Sequence, residues 1–97
     1  MPAYVILGNF TEEAMKDFKG TNAMRANMVQ ALSAKGGSII WDGLTFGQFD
    51  FIAVIDMPGD AATLEMALTA AMSGRYRTQT LKAFSPAEVD QIVARLP

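Results

Sequence analysis

Thr45-Phe46-Gly47-Gln48-Phe49-Asp50-Phe51-Ile52-Ala53-Val54-Ile55 is the stretch that decides the fold. A glycine-containing turn opens it, and a strand follows with apolar residues on both faces, interrupted on one face by Asp50. A strand apolar on both faces is normally covered on both. In a chain of 97 residues, helices supply one cover, and the expected second cover is another copy of the protein.

Upstream, Ser38-Ile39-Ile40-Trp41-Asp42-Gly43-Leu44 reads as the partner strand. With Phe46-Gly47-Gln48 as the turn and a third strand over Phe49–Met57, the pair forms an antiparallel hairpin. A two-residue loop puts Trp41 on the side of Asp50, Ile52 and Val54, with Phe49, Phe51, Ala53, Ile55 and Ile40 facing the other way. A three-residue loop reverses that correspondence, because side chains alternate with a period of two.

Further out, Tyr4-Val5-Ile6-Leu7-Gly8-Asn9-Phe10 is a short β-branched and aromatic run, hence a buried strand. Thr11 caps a helix with Glu12 and Glu13 in its first turn. Gly20-Thr21-Asn22 interrupts it, and Thr21 or Asn22 caps a second segment carrying Met24, Met28, Val29 and Leu32. Gly36-Gly37 ends that segment, one glycine in the left-handed region.

After Pro58-Gly59-Asp60 comes a helix whose buried stripe is expected at Leu64, Ala67, Leu68, Ala71 and Met72, ending at Gly74. Arg75–Phe84 is a more polar strand, suited to a sheet edge. Ser85-Pro86-Ala87-Glu88 carries the cap, the first-turn proline and the reciprocal acid of a capping box. Val89, Ile92, Val93 and Leu96 then mark one apolar face of a terminal helix.

The order β-α-β-β-α-β-α gives an α+β fold: a ferredoxin-like βαββαβ plait with an extra C-terminal helix and a four-stranded antiparallel sheet. Right-handed crossovers place the first and third strands centrally and both main helices on one face. A two-fold dimer packing sheet against sheet, a dimeric α/β barrel, covers the other face. Residues 1–97 are read as a single domain without repeats or linkers.

Composition narrows the chemistry. Apolar residues make up 51% and charged residues 19%, which fits a globular chain with surface hidden by a partner. The net charge is −2, and the eight Lys and Arg form no basic face; only Arg75 and Arg77 sit close together. That argues against nucleic acid as a partner. The chain has no Cys and no His, which removes disulfides, thiolate nucleophiles, Cys/His zinc sites and His-ligated haem, so no cofactor is expected. No segment approaches the roughly 20 apolar residues of a membrane span. The N-terminal apolar run lacks a preceding basic region, so a cytoplasmic, non-membrane protein is the default expectation.

The chain resembles the GYD domain family of small bacterial proteins, within the dimeric α/β barrel group. The family's Gly-X-Tyr-Asp motif is matched by Gly47-Gln48-Phe49-Asp50, with phenylalanine in place of the tyrosine. The opening Tyr4-Val5-Ile6-Leu7, Phe10-Thr11, and Arg77–Phe84 before a Ser-capped final helix also fit. The resemblance implies the fold and a dimer. It implies no activity, since the family is functionally uncharacterised, and borrowing a reaction from fold relatives such as cofactor-free monooxygenases would be analogy alone.

The candidate ligand-binding residues are Trp41, Asp50, Asn9, Tyr76 and Arg77. Buried against Trp41 and Ile52, Asp50 would have a raised pKa and work as a general base; alternatively it accepts backbone or arginine hydrogen bonds at the turn. Trp41 lines a pocket or anchors the core or dimer interface. Asn9, Tyr76 and Arg77 supply polar contacts, or Asn9 satisfies backbone at a strand end. Pro2, freed at the N-terminus, would offer a secondary amine of the kind tautomerases use, though the rest of the chain does not resemble them. The methionines at 15, 24, 28, 66 and 72 are core filler.

Three functional readings follow. One is a homodimer, or a higher symmetric oligomer, binding a small, largely apolar ligand between its sheets. Another is a cofactor-independent monooxygenase, cyclase or isomerase with Asp50 as general base. The third is a structural or regulatory protein-interaction module.

Overall fold

The computed structural model describes residues 1–97, the side chain of Thr21 excepted. Four strands, β1 (Ala3–Phe10), β2 (Ser38–Leu44), β3 (Phe51–Asp56) and β4 (Tyr76–Ala83), form one antiparallel sheet in the order β2-β3-β1-β4. The two strands with apolar residues on both faces, β1 and β3, are the central pair. They run in register from Ala3 opposite Asp56 to Gly8 opposite Phe51. The polar strand β4 is an edge, as its composition predicts. Helices α1 (Glu12–Lys16), α2 (Thr21–Ala34), α3 (Asp60–Met72) and α4 (Pro86–Val93) complete the α+β plait, with a single 3-10 turn over Phe18–Gly20.

Alternation assigns the faces. Tyr4, Ile6, Ala53 and Ile55 face the helices and, with Leu32 of α2 and Met57, surround the core. Tyr4, Leu32, Ala53, Ile55 and Met57 are all buried. Val5, Leu7, Ile52 and Val54 lie on the opposite face, on which no helix packs among the described residues. Tyr4 donates its O–H to Asp60 at the start of α3, and Lys82 Nζ on β4 reaches the same carboxylate at 3.0 Å. These bonds pin the N-terminal end of α3 to the edge of the sheet.

The buried stripe of α3 differs from the one expected. Thr63 is buried, and Ala62, Met66, Ala67 and Ala70 turn inward. Leu64 and Leu68 are more than half exposed, and Met72 is 86% exposed. The helix is apolar nearly all round, so its own pattern does not orient it. What orients it is the close sheet below, which accepts alanines more readily than leucines, together with the Asp60 anchor.

The β2–β3 connection also departs from the expected tight loop. Residues 45–50 form it, β3 starts at Phe51, and Gly47 supplies the positive φ of +96°. Thr45 holds the loop by donating its N–H to Asp50 O (2.8 Å) and its hydroxyl to Phe49 O (2.6 Å). A bulge between Ile39 and Trp41 shifts the register, yet Trp41 pairs with Val54 and shares its face, as the two-residue-loop reading had it.

Thr11 Oγ1 accepts the Ala14 N–H at 3.3 Å, capping α1. Of the caps proposed for α2, Asn22 lies inside the helix and the Thr21 side chain lies outside the described residues; Gly20 occupies the cap position. Gly36 (φ +82°) and Gly74 (φ +73°) end α2 and α3 in the left-handed region that lacks a Cβ clash. Ser85 and Glu88 form the full capping box of α4. That helix is well formed but every residue in it is exposed, including Val89, Ile92 and Val93.

Candidate functional site

The two long helices rest over opposite edges of the sheet, α2 on β2 and α3 on β4. The central strands therefore lie under a gap. Four of the residues facing that gap are alanines, Ala31 on α2, Ala53 on β3, and Ala67 and Ala70 on α3, and they leave space between the larger side chains around them. A cleft of about 370 Å³ results, floored by Ile6, Ala53 and Ile55. That is the low end of the size range for small-molecule sites.

The ends of the cleft differ. At one end Lys35, just after α2, reaches Glu65 of α3 at 2.8 Å and ties the helices together. At the other end Met24 of α2 lies beside Arg75, which follows α3, with an Arg75 N–H 3.5 Å from the Met24 sulfur. Arg75 is the one charged side chain among the described residues lining the cleft. Its nearest carboxylate is Asp17 at 3.9 Å, on a largely exposed side chain.

Tyr76 lies at the same end, packed edge-on against Phe51 with ring centres 5.8 Å apart and near Phe10 at 6.1 Å. Burial pushes its phenol above the ordinary tyrosine pKa, and neighbouring Arg75 offsets part of that rise. The phenol is therefore a hydrogen-bond donor at neutral pH. Thr63, Ser73, Thr78 and Thr80 add hydroxyls to the wall.

A second cleft of about 300 Å³ lies toward β2 and shares Met24, Met28, Phe51, Ala53 and Tyr76 with the first. Arg25 bonds Asp42 across its mouth with two contacts of 2.7 and 2.9 Å. The guanidinium holds the Asp42 carboxyl below the usual carboxylate range. Among the described residues, no group of three or more His, Cys, Asp or Glu side chains could hold a metal ion, and no helix is long and apolar enough to cross a membrane.

The loop after β2 has its own function in the architecture. Asp50 donates its N–H to Gly8 O (2.9 Å) and lies 3.1 Å from Asn9 Oδ1, while its carboxylate accepts the Phe10 N–H at 3.0 Å. Gly47-Gln48-Phe49-Asp50 thus ends in an acid that clamps the turn to the end of β1. The sequence model of the GYD domain family matches residues 4–93, nearly the whole chain. The chain belongs to the GYD domain family. No curated protein matches it.

Within this GYD domain the five sequence-derived candidates do not converge. Trp41 lies on the helix-free face, in the row of Val54 and Val5, and is 56% exposed. Asn9 and Arg77 sit opposite each other at the far end of that face, four residues along β1, roughly 13 Å away. Asp50 adjoins Asn9. Tyr76 alone lines the cleft, on the other side of the sheet. As site residues, the sequence reading passed over Arg75, Met24, Met28 and the small residues Ala53, Ala67 and Ala70, although it placed Met24, Met28 and Ala67 on the apolar stripes of their helices. The detectable signal was the charge-poor, alanine-rich surface of α3 facing a central strand that also carries alanine.

Proposed function

We propose that this GYD domain is a homo-oligomeric binding protein for a small, largely apolar ligand, held in the cleft between α2, α3 and the sheet. The observation that carries this reading is the cleft itself: about 370 Å³ of open space over the central strands, apolar on its floor and polar at one end. A mostly apolar pocket with a few converging polar groups is the usual form of a small-molecule site. The main-chain bond accepted by the Asp50 carboxylate supports a structural part for that acid rather than general-base chemistry.

Native mass spectrometry of gently purified protein, repeated after denaturation, tests the reading. A small molecule released on denaturation from the wild type and absent from Ala70→Phe supports it. Equal release from both proteins places the ligand elsewhere and overturns it. A fluorescence titration with 8-anilinonaphthalene-1-sulfonate, comparing the same two proteins, covers the case of an empty preparation; undiminished binding by Ala70→Phe counts against the cleft.

The oligomeric part rests on exposed apolar surface. The chain exposes 6626 Å², whereas a folded monomer of its 10.5 kDa exposes roughly 5,400 Å². The excess exceeds the roughly 800 Å² that each partner contributes to a standard interface. The helix-free sheet face, with Trp41 and Leu81 exposed on it, supports sheet-to-sheet contact between copies. The outward leucines of α3 and the apolar face of α4 extend the available surface. Trp41→Glu should lower the mass measured by light scattering to that of one chain; an unchanged multiple would exclude the sheet face as the interface.

A further inference from the structure

We infer that the cleft selects a monoanion with an apolar tail, a carboxylate whose head group binds Arg75 and Tyr76 while its tail lies along the floor of Ile6, Ala53 and Ile55. This rests on the cleft being a ligand site, and it adds the chemical class of the ligand.

Charge sets the sign. Among the described side chains lining the cleft, Arg75 alone is charged, and none is an acid. The two acids nearby lie outside the lining: Asp17 is 3.9 Å from the guanidinium and exposed, and Glu13 flanks Gly74 on the outer side. A guanidinium has five N–H donors in a planar fork. Here one is directed at the Met24 sulfur, a weak acceptor. The remaining donors can take both oxygens of a carboxylate, the geometry in which arginine binds anions best.

Position sets the orientation. Arg75 lies at the Met24 end of the cleft, and the Lys35–Glu65 pair bridges α2 and α3 toward their opposite ends. Lys35 is already neutralised at 2.8 Å by Glu65, so only one end attracts an anion. The Tyr76 phenol lines the same end and makes no hydrogen bond within the protein among those described. Burial keeps it protonated and able to donate to the same head group. Between the two ends the floor is aliphatic, which suits a hydrocarbon or aromatic tail and rejects a second charge, since an unpaired charge there would be desolvated.

Isothermal titration with decanoate and with decanol, at one pH and salt concentration, tests the assignment on the full chain. Wild type should bind decanoate about ten- to hundredfold more tightly than decanol, the scale of a charge-assisted hydrogen-bonded pair. Arg75→Gln should bring the two affinities together by weakening decanoate and leaving decanol unchanged. Arg75→Lys, which keeps the charge and loses the fork, should retain part of the preference. Fold integrity of both variants is favoured because the structural bond of Arg75, its carbonyl accepting the Thr11 N–H at 3.0 Å, is main-chain. Equal binding of the two probes by wild type, or a carboxylate preference that survives Arg75→Gln, overturns the head-group assignment and leaves the cleft standing. Failure of both probes to bind, or binding undiminished in Ala70→Phe, overturns the cleft reading and this inference with it.

Discussion

Ala70→Leu is a substitution for which an open cleft and a packed interface predict opposite signs. Ala70 lies in the last turn of α3 and its side chain lines the cleft. Leucine adds three carbons, worth about 0.8 kcal/mol each when fully buried, and the helix propensities of the two residues differ little. The cleft is open along one side, so about half of that burial is realised, giving a stabilisation of about 1 kcal/mol. For a chain of 97 residues that raises Tm by about 4–8 °C. Thermal unfolding followed by circular dichroism, at fixed protein concentration because oligomers make Tm concentration-dependent, gives the measurement. A Tm lowered by a similar margin refutes the argument: adding methylenes to a filled interface costs about 1–3 kcal/mol, and the space would then be absent in solution.

Three further outcomes follow from the same structure. Asp50→Ala should lose about 1.5–3 kcal/mol in urea unfolding, the scale of a hydrogen bond to a charged group, whereas Asp50→Asn, which keeps an acceptor for the Phe10 N–H, should lose much less; equal losses would contradict the clamp. Gly8→Ala should cost about 1–3 kcal/mol, since a Cβ there overlaps the Phe51 ring, and it should also perturb probe binding because Phe51 lines both clefts. Asp42 and Asp60 are held below the ordinary carboxylate range, Asp42 chiefly by the Arg25 hydrogen bond and Asp60 by Tyr4 and then Lys82. Their contribution is full above the unfolded carboxylate range and is lost as pH falls through it to the lower folded values. The urea midpoint should therefore fall on acidification, and less steeply in Asp42→Asn; an equal slope in that variant would show that the Arg25 pair contributes nothing.

The element order was legible because each element has its own composition and punctuation, from the continuous apolar Tyr4–Phe10 run to the Ser85 capping box. The facing of Trp41 was open in the sequence between loops of odd and even length; the connection over residues 45–50 is even, so the parity of the two-residue reading is kept, and the bulge at Ile40 lies beyond the Trp41–Leu44 half of the pairing. The rotation of α3 was not legible. With Ala61, Ala62, Leu64, Met66, Leu68 and Met72 spread around its surface, hydrophobicity gives no direction, and the sheet's demand for small residues decided it. The cleft escaped for a related reason: it is made by what Ala31, Ala53, Ala67 and Ala70 leave empty, and these come from three separate elements. Asp50 was recognised as the interruption in an apolar strand, and its carboxylate accepts a backbone N–H, one of the two parts weighed for it.

Met24 and Met28 line both clefts, together with Phe51, Ala53 and Tyr76. Methionine is unbranched, with three rotatable bonds and a polarisable sulfur. Such a lining moves by rotamer changes on the ps–ns scale, with the helix backbone staying in place. A ligand too long for the first space can push these side chains aside and run on toward β2. For the ligand proposed above, chain length would then be tolerated while the Arg75 end still discriminates. Oxidation of either sulfur would stiffen and polarise the same lining, so the breadth of ligands accepted is tied to the redox state of two thioethers.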